Sequence, residues 1–214
     1  MSVTTRICLV RHGETTWNVD RRIQGQQDIS LNEHGLLQAS ATAQALAGTP
    51  IDLVYSSDLA RAWVTAGRIA VLRGQPVMPE PALRERHYGS FQCLTYAEAR
   101  SRHPLEFERF EARELDAGFP GDSGETLAMF DARIWGYVES LRTRHYGQTL
   151  LLVTHGGVLD IVARRVRQLP LVGPRDFEIA NCAVNWIACD DSGWRVDSWG
   201  DVSHLDGALD ELPA

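Results

Sequence analysis

The chain has 214 residues, and 21 Lys and Arg against 28 Asp and Glu give it a formal net charge of −7. That length predicts one domain, or one domain with an insertion, able to bury roughly 70% of its unfolded surface without help from a disulfide or a metal. At 44% hydrophobic and 23% charged residues it is too apolar to stay disordered, and its acidic balance argues against nucleic acid or a membrane surface as partner while leaving room for a local basic pocket.

The first element is Ile7-Cys8-Leu9-Val10, an almost fully apolar run closed by Arg11-His12-Gly13. Such a run reads as a strand buried on both faces, as in a parallel sheet. A helix is expected from Leu31, with Asn32 as N-cap and Leu36, Ala39, Ala43 and Leu46 at helical spacing, stopped by Gly48 and Pro50. Residues 51–55 read as a second strand. Ser56, Ser57 and Asp58 offer caps for the next helix, which carries Arg61 and runs towards Gly74. Residues 76–81 hold at most a short strand.

The character then changes. Charge is dense between Pro104 and Pro120, β-branched residues are few, and Gly118, Pro120, Gly121 and Gly124 end the stretch. Residues about 93–124 are expected to form an insertion in helical pieces over one edge of the domain. A long helix over about 125–145 follows, with Leu127, Phe130, Ile134, Val138 and Leu141 on one face. Residues 149–153 form another apolar strand that ends in Thr154-His155-Gly156-Gly157, and Val158, Ile161, Val162 and Val166 mark the helix after it. Two last strands, about 182–189 and 193–199, flank the hairpin turn Asp190-Asp191-Ser192-Gly193. Strands alternating with helices predict a three-layer α/β/α sandwich with a mostly parallel sheet, a single domain over residues 1–214 with a small helical cap at about 93–124. Ligands in that architecture bind beyond the carboxyl ends of the strands.

Two strands end alike. Leu9-Val10-Arg11-His12-Gly13 and Leu152-Val153-Thr154-His155-Gly156 each place a histidine just past the strand, followed by glycine. As parallel neighbours they would bring His12 and His155 together at the ligand-binding edge, where glycine lets the backbone approach a ligand and a helix start offers free N–H groups. Either histidine alone reads equally well as a capping residue; the repeated context, with Arg11 adjacent, is what favours a site. Arg61, one or two helical turns beyond a strand end, either reaches the same cleft or is a solvated helix arginine. Two imidazoles and two guanidiniums suit a phosphoryl group: the forked donors match its oxygens, and an unprotonated imidazole is a competent nucleophile at neutral pH. A second imidazole, if protonated, would stabilise the equatorial oxygens during transfer. The leaving alkoxide needs a proton, which a carboxylic acid of raised pKa supplies. Glu85, in Leu83-Arg84-Glu85-Arg86-His87-Tyr88-Gly89, is the best-placed carboxyl; the bland alternative is an exposed loop glutamate held by Arg84 or Arg86.

Leu9-Val10-Arg11-His12-Gly13-Glu14-Thr15, followed by Trp17-Asn18, resembles the signature of the histidine phosphatase superfamily, also called phosphoglycerate-mutase-like. Ser56-Ser57-Asp58-Leu59-Ala60-Arg61-Ala62 with Thr65-Ala66 is similar to its second arginine segment, the Glu85 segment to its acid segment, and Thr154-His155-Gly156-Gly157 to its second-histidine motif. The matches fall in family order across residues 7–157. The resemblance implies that His12 becomes phosphohistidine, that Arg11, Arg61 and His155 complete the phosphate pocket, and that Asn18 hydrogen-bonds a phosphate oxygen. It implies that Glu85 donates the proton and then activates water, that Gln24, Gly25 and Tyr88 contact substrate, and that the Gly156 N–H faces the phosphate. No metal and no cofactor is implied, because arginines and histidines carry the charge.

The family's cofactor-dependent mutases resemble one another in a lysine beyond the acid glutamate, at a position that falls near Tyr96 here, and in an adjacent arginine pair further on. Between residues 100 and 120 stand Arg100, Arg102, Arg109 and Arg113, none adjacent, while the pairs Arg21-Arg22 and Arg164-Arg165 lie elsewhere. A grip for a second phosphate is therefore expected to be absent, which favours a phosphomonoesterase acting on a small phosphorylated metabolite over mutase-type phosphoryl transfer. Phe91, Tyr96, Phe107, Phe110 and Phe119 either line an apolar mouth or pack among themselves.

Other readings fit less well. Cys189 to Arg195 has the C-x5-R spacing of a cysteine phosphatase, but two aspartates in the loop would repel phosphate. Gly121-Asp122-Ser123-Gly124 precedes a helix and reads as an N-cap loop, not a protease nucleophile. Neither a P-loop nor a dinucleotide-binding glycine motif is present. A non-catalytic phospho-ligand binder and a metallohydrolase built on His12 and His155 remain as rivals. Cys8, Cys93, Cys182 and Cys189 make no C-x-x-C pair or zinc spacing and read as reduced thiols. With no signal-peptide pattern at the start and no run of 18 apolar residues, the expectation is a cytoplasmic monomer or homodimer with no membrane partner.

Overall fold

The computed structural model describes residues 3–121 and 124–205. Asp122 and Ser123, and with them the centre of the Gly-Asp-Ser-Gly motif, lie outside the described residues.

The chain forms β1 (Thr5–Arg11), α1 (Thr16–Val19), α2 (Glu33–Leu46), β2 (Leu53–Ser56), α3 (Ala60–Arg73) and β3 (Val77–Pro79). It continues with α4 (Tyr96–Arg102), α5 (Pro104–Glu111), α6 (Leu127–Arg144), β4 (Thr149–Thr154), α7 (Gly156–Val166), β5 (Val184–Asp190) and β6 (Gly193–Asp201). The strands make one six-stranded sheet in the order β3-β2-β4-β1-β5-β6. The first three neighbouring pairs are parallel and the last two antiparallel, so the sheet is mostly parallel with an antiparallel edge.

Alternation along the central strands builds the layers. Ile7, Leu9, Leu150 and Leu152 point to one face and pack with Phe130, Ile134, Val138 and Leu141 of α6 and Leu159 and Val162 of α7. Cys8, Val10, Leu151 and Val153 point to the other, against Ala43 and Leu46 of α2 and Ala62, Ala66 and Ile69 of α3. Because side chains alternate along a strand, an apolar run is what burial on both faces requires. Each fully buried Leu or Ile adds about 1.5–3 kcal/mol of transfer free energy.

A third, smaller cluster joins Ile23, Phe91, Ala99, Phe107 and Phe119. It ties α4 and α5 to the loop after β1, and a Thr95–Glu98 capping box starts α4. Phe91, Phe107 and Phe119 are thus core residues of this segment and not walls of a mouth.

One local expectation needs correction, and two details add to the rest. The N-cap of α3 is Leu59, which caps with no side chain; the Ala60 N–H instead donates to Asp28 Oδ1 at 2.7 Å, far away in sequence. The long helix α6 begins at Leu127, capped by Thr126, and Glu125 is used elsewhere. The short helix α1 was not expected; it is fixed by a capping box in which Thr15 and Asn18 satisfy each other. Among the described residues no helix is long and apolar enough to cross a membrane.

Candidate active site

β1 and β4 pair in parallel with Arg11 opposite Thr154, so both strands end at the same level. His12 N–H donates to Thr154 O at 2.9 Å, which carries the ladder one residue further. The next residues, His12 and His155, therefore leave the sheet side by side, with ring centroids 5.2 Å apart and planes tilted at 59°. This is the meeting that the matched strand ends predict.

The tautomer of His12 follows from its contacts. Nδ1 lies 2.7 Å from Gly13 O, and a carbonyl only accepts, so Nδ1 carries the proton. The lone pair is left on Nε2, where Arg61 Nε donates across 3.2 Å. Burial first, then the Arg61 and Arg11 charges, hold His12 well below the ordinary imidazole range. The result is a neutral imidazole with an oriented lone pair, which is the form a nitrogen nucleophile requires.

Arg61 is the second residue of α3, five residues past the end of β2, and it reaches the cleft. Its other nitrogens are fixed as well: Nη1 donates to Gln27 O at 2.8 Å and Nη2 to Gly25 O at 2.6 Å. Gly25 thus holds Arg61 through its carbonyl. Its φ of +53° and the 2.2 Å that would separate an added Cβ from Gln92 Oε1 explain why glycine stands there. Burial lowers Arg61 to about 10, so it stays a cation at neutral pH. Arg11 is buried and donates through Nη1 to Ile179 O at 2.9 Å.

Glu85 is not an exposed loop residue. It is buried, and its two oxygens accept from Arg86 N at 2.7 Å and Gly157 N at 3.0 Å. Burial pushes its pKa up, although these two N–H bonds and the Arg61 and Arg11 charges oppose the rise. Arg84, one of the two expected to hold it, pairs with Asp58 instead.

Arg11, His12, Asn18, Gln24, Gly25, Arg61, Glu85 and Tyr88 line one small cavity of about 40 Å³. Gln24 Oε1 is a buried acceptor with no partner among the described residues. Gly156 opens α7 directly after His155, so the start of that helix faces the same edge of the sheet. A second cavity, of about 220 Å³, adjoins the first through Tyr88 and Tyr96 and is walled further by Arg86, Phe110, Arg113, Phe130 and Arg175.

His155 departs from the sequence expectation in its charge. Burial, then the Arg61 charge and the neighbouring His12, hold it well below the ordinary range, so its imidazole is neutral. The cationic part of the site is arginine. Sequence reasoning also missed three supports. Ser57 Oγ is 2.8 Å from His155 Nε2, Thr65 Oγ1 accepts Gly13 N–H at 3.1 Å, and Asn181 Nδ2 donates to His12 O at 2.9 Å. Thr65 stands in the motif around Arg61, but nothing local marks Asn181, 169 residues from its partner.

The histidine phosphatase superfamily (branch 1) family model matches residues 7–202, and the chain belongs to that family. It is 42% identical to the metal-independent phosphoserine phosphatase of Arabidopsis thaliana over 95% of this chain and 84% of that protein. It is 40% identical to phosphoglycerate mutase-like protein 4 of the same plant, over 94% of this chain and 86% of that one. A mutant phosphoserine phosphatase of Entamoeba histolytica, solved in complex with phosphoserine, superposes with a TM-score of 0.84 at 25% identity, covering 94% of this chain and 99% of that one.

Proposed function

We propose that this chain is a metal-independent phosphomonoesterase that hydrolyses small organic phosphates through a phosphohistidine on His12. The observation that carries the reading is the fixed tautomer of His12: a bare Nε2 beside a guanidinium, in one cavity with a buried carboxyl group. Nε2 attacks phosphorus, the bond from phosphorus to the alcohol oxygen breaks, and the Glu85 proton passes to the leaving oxygen. Arg11 and Arg61 take the charge on the non-bridging oxygens, with N–H groups at the start of α7 and the Asn18 side chain beside them. In the second half Glu85 removes a proton from water, the hydroxide attacks phosphorus, and the bond to Nε2 breaks. Phosphate leaves and Glu85 is a carboxylic acid again.

The adjoining cavity suits the alcohol half of the substrate. Arg86 lies in its wall, buried, with its guanidinium over the Phe119 ring and donating to Glu125 O. It has no carboxylate at ion-pair distance among the described residues, so an anionic substituent on the substrate would supply one. A short phosphorylated hydroxy or amino acid has that shape, which agrees with the phosphoserine named for two of the relatives. In this reading the segment at 93–124 is the cap that sets substrate choice within a single domain. Four free cysteines fit a reducing, cytoplasmic compartment.

Hydrolysis is favoured over mutase-type transfer by the arginines of that segment. Arg100 faces Glu111 at 2.5 Å, Arg102 faces Glu98 at 3.8 Å, Arg109 faces Glu114 at 2.7 Å and Arg113 faces Asp160 at 2.5 Å. Each of these four already has a carboxylate, so none of them offers a second phosphate an uncommitted cation.

Rapid quench with labelled monoesters tests the reading. Wild type should hold acid-labile, alkali-stable label and release phosphate to water, whereas His12→Ala should hold none. No release from a broad monoester panel would overturn the proposal, and label passing mainly to a second hydroxy acid would make the chain a mutase.

A further inference from the structure

Ser57 follows β2 and is fully buried. Its backbone N–H donates to Val153 O at 3.0 Å, which locks it against β4 one residue short of the strand's end. Its Oγ has two neighbours: Leu59 N at 3.3 Å and His155 Nε2 at 2.8 Å. Leu59 N–H is a donor and occupies a lone pair of the oxygen. The hydroxyl proton needs an acceptor, and among the described residues the one within reach is His155 Nε2. A buried hydroxyl donates wherever it can, because an unmade donor is costly.

This fixes the other side of the ring. A neutral imidazole carries a single N–H, and burial among arginines keeps His155 neutral. If Nε2 accepts from Ser57, the proton of His155 sits on Nδ1. That atom is buried and has no hydrogen-bond partner among the described residues. It belongs to a ring whose centroid lies 5.2 Å from that of His12. An unsatisfied donor retained beside a nucleophile is what a site complementary to an incoming oxyanion presents.

We propose that Ser57 is a positioning residue: its hydroxyl fixes the Nδ1–H tautomer of His155, so that this N–H donates to a non-bridging phosphoryl oxygen. The donor role rests on the reading of this cavity as a phosphoryl site; the tautomer does not. With the opposite tautomer, a lone pair would face the phosphoryl oxygens and repel them. His12 and His155 are then set alike, each with its proton on Nδ1, but by different acceptors and for different ends. Gly13 O makes the first a nucleophile, and Ser57 makes the second a donor.

The test begins with ¹⁵N NMR of the imidazole nitrogens in the resting protein, with His155 assigned by the signals lost in His155→Gln. His155 should show a protonated Nδ1 and a bare Nε2; the reverse would overturn the proposal. Titration with inorganic phosphate should shift the Nδ1–H resonance of His155, and an unmoved resonance in a protein that binds phosphate would overturn the donor role. In Ser57→Ala, kcat should fall about 10²-fold, the scale of one lost transition-state donor, with KM little changed and the tautomers of His155 mixed. Ser57→Thr, which keeps the hydroxyl, should recover both rate and tautomer. A Ser57→Ala enzyme that is slow while His155 keeps Nδ1–H would reduce Ser57 to packing and end the proposal. A wild type that forms no phosphohistidine would defeat the functional reading instead, and leave the ring-nitrogen result standing.

Discussion

Arg61 Nε sits 3.2 Å from the nitrogen of His12 that bears the lone pair. A guanidinium therefore lies against this nitrogen in the resting protein, and in the proposed reaction it meets the phosphoryl oxygens from that place. Its Nη1 and Nη2 grip two backbone carbonyls, so the fork is aimed before any ligand arrives. Arg61→Lys keeps the charge and loses the fork. We expect kcat/KM to fall about 10²–10³-fold, as when a pre-aimed transition-state donor is removed. Steady-state kinetics on one monoester would check this, and near-wild-type activity in the lysine variant would show that charge alone suffices.

Glu85→Gln removes the transferable proton and keeps the side chain's shape, but its amide oxygen can accept from only one of Arg86 N and Gly157 N, so the control is the dependence on the leaving group. The loss should depend on the leaving group. An alkyl phosphate needs the proton and should lose about 10²–10⁴-fold in the first step, the usual scale of general acid catalysis. A nitrophenyl phosphate leaves without it and should lose far less. Equal losses for both ester types would mean that Glu85 acts through packing or charge and not through proton donation.

Much of this site is legible in the amino-acid sequence. The apolar runs ending at His12 and His155 announce buried parallel strands, and the β1–β4 register explains why two such ends must meet. Asn32 is readable as a cap because its partner, Gly35 N, is three residues away. What is not legible depends on distance or burial. The N–H at the start of α3 is satisfied by Asp28, 32 residues back, and His12 O by Asn181. The charge of His155 depends on desolvation, which no local pattern encodes. The aromatic residues of the 93–124 segment share a composition but not a fate: Phe107 is core, whereas Tyr96 and Phe110 line the larger cavity.

The pH dependence has two limbs of known sign. In the proposed mechanism His12 must be bare to attack, and it is held well below the ordinary value of 6.5, so the acid limb should lie below the range of free imidazole. Glu85 must be protonated, and it is raised above 4.5, so the rate on alkyl phosphates should fall as pH rises through that raised value. Glu85→Gln should flatten the alkaline limb. Stability follows from the same shifts. Below pH 6.5 the unfolded chain protonates residues 12 and 155 while the folded protein does not, so these two groups make stability fall as pH drops from 6.5 towards their lowered values. Urea unfolding from pH 7 downwards should show this loss, and His155→Gln should lessen it; an acid slope unchanged in that variant would remove His155 from the account.

Gly13 gives a separate test of how tightly His12 is built in. A Cβ there would stand 2.5 Å from Gly35 O, and a Cβ on Gly35 would stand 2.1 Å from Glu14 O. Both contacts are with backbone, so neither side can yield by turning a side chain. Gly13 also accepts from His12 Nδ1 and donates to Thr65 Oγ1, so any shift of this residue moves the imidazole. Gly13→Ala should cost about 1–3 kcal/mol, as overpacking does in a close-packed interior, and should lower kcat in the molecules that remain folded. Gly48→Ala is the control, because nothing lies within 4 Å of its added Cβ. Urea denaturation and single-turnover kinetics on both variants would check the pair, and a Gly13→Ala protein with wild-type stability and rate would show that the loop after β1 is free to move away from α2.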